Sequence, residues 1–158
     1  MTGIFSREEL SGMIRNLQND GKKIVFTNGV FDIVHRGHVE YLNKARKLGD
    51  ILVVGINSDA SVRRIKGDKR PIVPESDRAY VVSNLKSVDY VCIFDEDTPY
   101  ETIKLVQPDF LVKGADWKIG DVVGRDVVEG RGGKVITIEF VDGRSTTNII
   151  KKILEVMQ

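Results

Sequence analysis

The chain has almost no means of cross-linking itself. Its single cysteine, Cys92, lies inside the apolar run Val91-Cys92-Ile93-Phe94, which excludes an intrachain disulfide and suits a reducing compartment. Cys92 is expected to be a buried small hydrophobe. Charge of one sign is also lacking: 24 lysines and arginines against 23 aspartates and glutamates leave a formal net charge of +1. No global basic field therefore points to nucleic acid or to a membrane surface. No apolar run approaches the ~20 residues needed to span a bilayer, and the start, MTGIFSREEL, has no basic region followed by an apolar stretch. A cytoplasmic protein is expected. Repeats, low-complexity tracts and long linkers are absent too, and 41% hydrophobic residues in 158 supply an ordinary core. One domain over residues 1–158 is expected.

What is present is an alternation. The segments 24–31, 51–57, 90–94, 109–114 and 134–140 are short apolar runs rich in branched residues, the pattern of strands buried on both faces. Between them, helical periodicity predicts helices near 37–48, 76–87, 98–106 and 121–131, with one more near each end at 6–19 and 145–157. Strand, helix, strand repeated gives an α/β fold: a Rossmann-like three-layer α/β/α sandwich around a five-stranded parallel sheet. Ser6 with Glu9 forms a capping-box pattern, Gly49 stops a helix, and Pro71 and Pro74 mark KGDKRPIVPES as an ordered loop or lid. In such sheets ligands bind beyond the carboxyl ends of the strands.

The chain's two histidines stand there. In TNGVFDIVHRGH, His35 and His38 follow the first apolar run and bracket Gly37. Val39, Leu42, Ala45 and Leu48 form the sheet-facing stripe of the next helix, so both imidazoles fall in its first turn. A helix start carries unpaired N–H groups and the positive end of the dipole, and attracts phosphate. Two imidazoles there can donate to phosphoryl oxygens, and Gly37 leaves a ligand room to approach. Zinc is the rival reading. However, metalloprotease pairs stand at i and i+4 with a glutamate between, and structural sites need four ligands. Further along, Lys113-Gly114-Ala115-Asp116-Trp117 ends a strand with a cation, a flexible residue and a carboxylate, a turn suited to a nucleotide or a sugar phosphate. Ser145 occupies a natural N-cap position before the last helix.

His-x-Gly-His after a strand ending in Gly-x-Phe-Asp resembles the nucleotidyltransferase superfamily. The resemblance extends through TNGVFDIVHRGHVEYLNKARKLGD, VGINSDASVRRIKGDKRPIVP, FDEDTPYETI, PDFLVKGADW and GRSTTNIIKKI. Together these are similar to the adenylyltransferase domain of the ADP-heptose synthesis enzymes, over nearly the whole chain beyond residue ~21. No sugar-kinase domain is attached, so the stand-alone form is expected.

The resemblance implies an enzyme that transfers AMP from ATP to a D-glycero-D-manno-heptose 1-phosphate, releasing pyrophosphate. It implies that His35, His38 and Lys66 are catalytic, with Lys66 a mobile lysine carried to the phosphates by a closing lid. Asn28, Gly29, Val30, Phe31, His35, His38, Arg78, Lys113, Gly114, Asp116, Ser145, Thr146 and Thr147 would bind nucleotide. Asp32, Lys66, Lys113 and Arg144 would face the substrate. Val30 departs from the threonine that many relatives carry. Arg78, read alone, is an exposed arginine that forms at most a surface pair of little value. Magnesium is implied with the triphosphate; its ligands are unassigned, and Asp32 is at most an indirect one. No nucleic acid or membrane partner is implied, and a homodimer is allowed. The phosphate loops of dinucleotide and P-loop folds are missing. Two other readings stay open: a cytidylyltransferase acting on glycerol 3-phosphate or another polyol phosphate, and a non-catalytic nucleotide-binding module. FDEDTPYE and VKGADW favour the heptose reading.

Overall fold

The computed structural model describes residues 3–157. Its sheet has six parallel strands, β1 (Gly3–Ile4), β2 (Ile24–Gly29), β3 (Ile51–Asn57), β4 (Tyr90–Phe94), β5 (Phe110–Gly114) and β6 (Lys134–Ile138), in the order β1-β4-β3-β2-β5-β6. The five expected strands are β2 to β6. The sixth is a two-residue edge strand with no apolar run to announce it, fixed by pairing with β4 and by the edge-on packing of Phe5 against Tyr90 at 5.7 Å.

Alternation along the strands sends neighbouring residues to opposite faces. Val25, Leu52, Val54, Val91 and Val112 pack under Tyr41, Leu42 and Ala45 of α2 (Arg36–Arg46) and Ala79 and Val82 of α4 (Glu75–Ser83). On the other face, Ile24, Phe26, Val53, Cys92 and Leu111 meet Leu10 and Ile14 of α1 (Arg7–Asn19), Ile103 and Val106 of α5 (Tyr100–Val106) and Val128 of α6 (Arg125–Glu129). The expected three layers are thus present. Ser6 and Glu9 cap α1 reciprocally, as their spacing predicts.

Local departures have local causes. α3 (Asp59–Lys66) was not expected, because DASVRRIK carries too few apolar residues to show a period; Ser58 starts it by accepting the Ser61 N–H. Where one helix is expected over 121–131, the chain makes a 3-10 turn just before it (Ile119–Asp121) and the short α6, with Gly124 between them at φ 86°. α7 (Thr146–Val156) lies outside both core clusters and has no buried residue. Among the described residues no helix is long and apolar enough to cross a membrane.

Cys92 is fully buried, and burial pushes its thiol up to about 12. The thiolate is the reactive species. Native protein at pH 8 should therefore resist a maleimide, and denatured protein should take up one equivalent; mass spectrometry reads the difference.

Candidate active site

The site begins where β2 ends. After Gly29 the chain turns through Phe31, a non-glycine residue at φ 50°, into Asp32. This costly backbone is held from two sides. The buried Asp32 carboxylate accepts from Arg70 Nε at 2.6 Å and from the N–H groups of Ile72 at 2.9 Å and Val73 at 2.8 Å. Burial alone would raise its pKa, but these donors outweigh burial and hold it below the usual carboxylate range. Arg78 donates to the Val30 carbonyl at 2.6 Å, the Val73 carbonyl at 2.9 Å and Asp59 at 2.7 Å.

Two expectations change here. Arg78 is 1% exposed, not a surface arginine, and its guanidinium is committed to three protein acceptors rather than open to a nucleotide. Asp32 is 3% exposed and both its oxygens are taken, so in this structure it faces neither substrate nor metal. Their partners lie up to 48 positions away in sequence, which is why composition and spacing could not show it. Both residues position the turn that presents Asn28 to Phe31.

His35 is the N-cap of α2. Its Nδ1 accepts the Gly37 N–H at 3.1 Å, while His38 Nδ1 accepts the His35 N–H at 3.3 Å. This is a capping box made by two imidazoles. With both Nδ1 atoms accepting, each neutral ring carries its proton on Nε2 and keeps that donor free. The rings lie 4.0 Å apart, and His38 also packs against Phe31 at 5.1 Å. Burial, helped by the Arg144 cation, lowers the His35 pKa; burial and His35 lower that of His38 to about 4. Gly37 serves the rings themselves: a Cβ there would sit 2.9 Å from His35 Cε1 and 3.2 Å from the Arg144 Cβ.

A pH dependence follows. The unfolded chain binds protons on its histidines near the ordinary value of ~6.5, above the folded values, so their share of stability is present above that pH. It is lost as pH falls from ~6.5 toward about 4. The melting midpoint should drop between pH 7 and pH 5.5, where the carboxylates still hold their charge, and His38→Asn should flatten the drop; differential scanning calorimetry reads both.

Two cavities flank the imidazoles. The first, about 160 Å³, is lined by Asn28 to Phe31 and His38 on one side and Lys113, Gly114, Asp116 and Trp117 on the other, with Tyr41 and Phe140 between. Lys113 Nζ donates to Asn28 Oδ1 and lies 5.6 Å from the Trp117 ring centroid. Burial lowers its pKa to about 8, against the opposing pull of Asp116. The second cavity, about 310 Å³, joins His35 to Arg36, Arg144, Ser145, Asn148 and Lys152, with Ile149 and Ile153 as its apolar side. Ser145 caps α7 by accepting the Asn148 N–H at 3.0 Å.

The structure thus gathers Asn28, Gly29, Val30, Phe31, His38, Lys113, Gly114 and Asp116 around one cavity, and His35, Arg144 and Ser145 around the other. Thr146 lines neither, donating instead to the Ile33 carbonyl at 3.1 Å, and exposed Thr147 lines neither. Lys66, exposed at the end of α3, also stands outside both, next to Gly67 at φ 93°. Sequence reasoning missed Tyr41, Phe140, Arg36 and Lys152. Only the aromatic end of the run KVITIEF, two residues past its strand, hinted at Phe140. Among the described residues no group of three or more histidine, cysteine, aspartate or glutamate side chains could cage a metal.

The chain is similar to several known proteins. A bifunctional protein HldE from Citrifermentans bemidjiense is 60% identical over 151 residues, covering 96% of this chain but 31% of the relative. The chain therefore spans about a third of the length of the curated relatives it matches. The crystal structure of the lipopolysaccharide core biosynthesis protein from Thermoplasma volcanium is 35% identical with a TM-score of 0.66, covering 77% of this chain and all of that one. Pantoate-beta-alanine ligase from Francisella tularensis, at 15% identity and a TM-score of 0.64 over 100% of this chain and 80% of that one, shares the fold. A family model described as cytidylyltransferase-like matches residues 26–152, from β2 into α7 and all of the two cavities' lining but Ile153, and the chain belongs to that family of nucleotidyltransferases.

Proposed function

We propose that this domain transfers AMP from ATP to D-glycero-D-manno-heptose 1-phosphate, giving ADP-heptose and pyrophosphate. The observation that carries the reading is the imidazole pair: two rings 4.0 Å apart whose Nδ1 atoms accept backbone N–H groups, one lining a cavity that holds Lys113 and the other a cavity rich in cations. The 60% identity to a bifunctional protein HldE supports adenylyl transfer to a heptose phosphate, and the likeness to a lipopolysaccharide core biosynthesis protein favours a sugar acceptor over glycerol.

The chemistry asks mainly for positioning and charge stabilisation. A phosphate oxygen of the acceptor attacks the α-phosphorus as the bond to pyrophosphate breaks. The acceptor oxygen is already anionic, so no general base and no covalent enzyme intermediate are required. His38 and His35 donate Nε2–H to the oxygens on which charge builds. Arg36, Arg144 and Lys152 receive the departing pyrophosphate beside the start of α7. Asn28 to Phe31, Lys113, Gly114 and Asp116 hold the nucleoside side, with Ser145, Thr146 and Thr147 near the phosphates. Lys66 swings in from the end of α3. Because Asp32 and Arg78 pin residues 70–73 and Arg78 also holds Asp59 at the start of α3, that motion is confined to the last turn of α3 and the segment 67–69.

Magnesium fits this site as an ion carried on the triphosphate, where it neutralises phosphate charge. Asp116 is the carboxylate lining the cavities, and Asp32 is fully engaged by its own donors. A cytoplasmic location belongs to the same reading, with ATP as substrate and Cys92 a free thiol.

Pyrophosphate release tests the function, with ATP, CTP and GTP crossed against heptose 1-phosphates and glycerol 3-phosphate in the presence of magnesium. Release with ATP and a heptose 1-phosphate is expected. Release with CTP and glycerol 3-phosphate would make the domain a polyol-phosphate cytidylyltransferase, and binding without turnover in every combination would make it a non-catalytic module.

A further inference from the structure

We infer that Phe140 is the platform on which the nucleobase stacks, a residue that sets nucleotide affinity at the site proposed above; the inference rests on that reading for its ligand. Phe140 leaves the end of β6 and is 49% exposed, yet it is not a loose surface ring. It lies stacked on Tyr41, with centroids 5.3 Å apart and planes 26° from parallel. Its edge covers Gly114 so closely that a Cβ there would meet Phe140 Cε2 at 2.0 Å.

The mount beneath it is rigid. Tyr41 is buried, and its hydroxyl shares a 2.8 Å hydrogen bond with Thr27 Oγ1, which donates to the Val112 carbonyl at 3.0 Å. The chain of contacts therefore runs from the strand β5 backbone through two side chains to an aromatic face that borders the first cavity. Half-exposed aromatic surface backed by a fixed ring is pre-organised: a second π-system can stack on it without ordering the platform first.

The surroundings favour a nucleobase over a bare aliphatic group. Asn28, Lys113 and Asp116 line the same cavity with polar atoms, able to meet a base edge or a ribose hydroxyl. Trp117, 45% exposed, borders the same space. The cavity is too small for a whole nucleotide, and the cationic cavity begins at His35, whose ring lies 4.0 Å from that of His38. A base on Phe140 thus extends to phosphates at His38 and His35. Gly114 is needed by this arrangement, because any side chain there would displace the ring.

Isothermal titration with the α,β-methylene analogue of ATP, with magnesium and no acceptor, separates the outcomes. Base–aromatic stacking lost on truncation weakens binding by roughly 5- to 100-fold, so Phe140→Leu should bind the analogue at least fivefold more weakly than wild type. Phe140→Trp should stay within about threefold of it. Far-ultraviolet dichroism of both variants should match wild type, and Phe140→Leu, which loses the stack on Tyr41, should melt within a few degrees of it. Equal affinity of Phe140→Leu and wild type would overturn the platform. So would an unchanged nucleotide affinity with a raised KM for the acceptor, which would assign the ring to the sugar. If wild type itself binds no nucleoside triphosphate, the proposed site falls, a failure distinct from a variant that binds as well as wild type does.

Discussion

His38→Asn is expected to lower kcat by about two to three orders of magnitude, the scale on which loss of one pre-organised transition-state donor is felt. The choice of asparagine separates two jobs of the same ring. The amide oxygen can stand in for Nδ1 and keep accepting the His35 N–H, the bond that completes the capping box of α2. It has nothing in the place of Nε2–H. Stability should therefore stay close to wild type while turnover collapses. His38→Ala should cost the same turnover and also about 1 kcal/mol of stability, as loss of a helix cap does. Steady-state pyrophosphate release and thermal melts on the same preparations distinguish them. Near-normal turnover of His38→Asn would leave the imidazole a cap alone.

Arg78→Leu is expected to produce the largest loss of stability, about 2–4 kcal/mol, somewhat less than the cost of breaking a fully buried ion pair because Asp59 is partly exposed. In a chain of this length that lowers the melting midpoint by roughly 10 °C. The guanidinium spans three acceptors on three segments: Val30 after β2, Val73 in the proline loop and Asp59 at the start of α3. Leucine fills the space but leaves two half-buried carbonyls and a carboxylate without their donor. Arg78→Lys should recover little, because one ammonium cannot reproduce a planar fork over three partners. Activity should fall as well, through release of the strained turn at Phe31, and added nucleotide should restore part of the melting midpoint.

Much of this molecule can be read from its sequence, for a physical reason. β2 to β6 are buried on both faces, so their residues form continuous apolar runs whose limits shift by two residues at most; β2 stops at Gly29, where Phe31 turns the chain, and β6 stops before Phe140. The histidines, Lys113, Asp116, Arg144 and Ser145 are legible because their chemistry and their positions at strand and helix ends coincide. α3 is silent because few of its residues are apolar, and β1 because two residues carry no pattern. Arg78 and Asp32 show the deeper limit. A charged side chain reads as exposed until its partners are seen, and the most distant of theirs arrive from 41 and 48 positions away. Phe140 and Tyr41 read as strand and helix residues, and only the fold stacks one on the other at the mouth of the site.

The most direct measurement of the central claim is a long-range nitrogen–proton correlation spectrum of the imidazoles at pH 7, taken before and after addition of the α,β-methylene analogue of ATP with magnesium. The chain has two histidines, so each signal has one of two owners, and His38→Asn assigns them. The account predicts two neutral rings protonated on Nε2 in the free protein, with both Nε2–H signals shifting when the nucleotide binds. Protons found on Nδ1, or imidazole signals unmoved by a nucleotide that demonstrably binds, would contradict it.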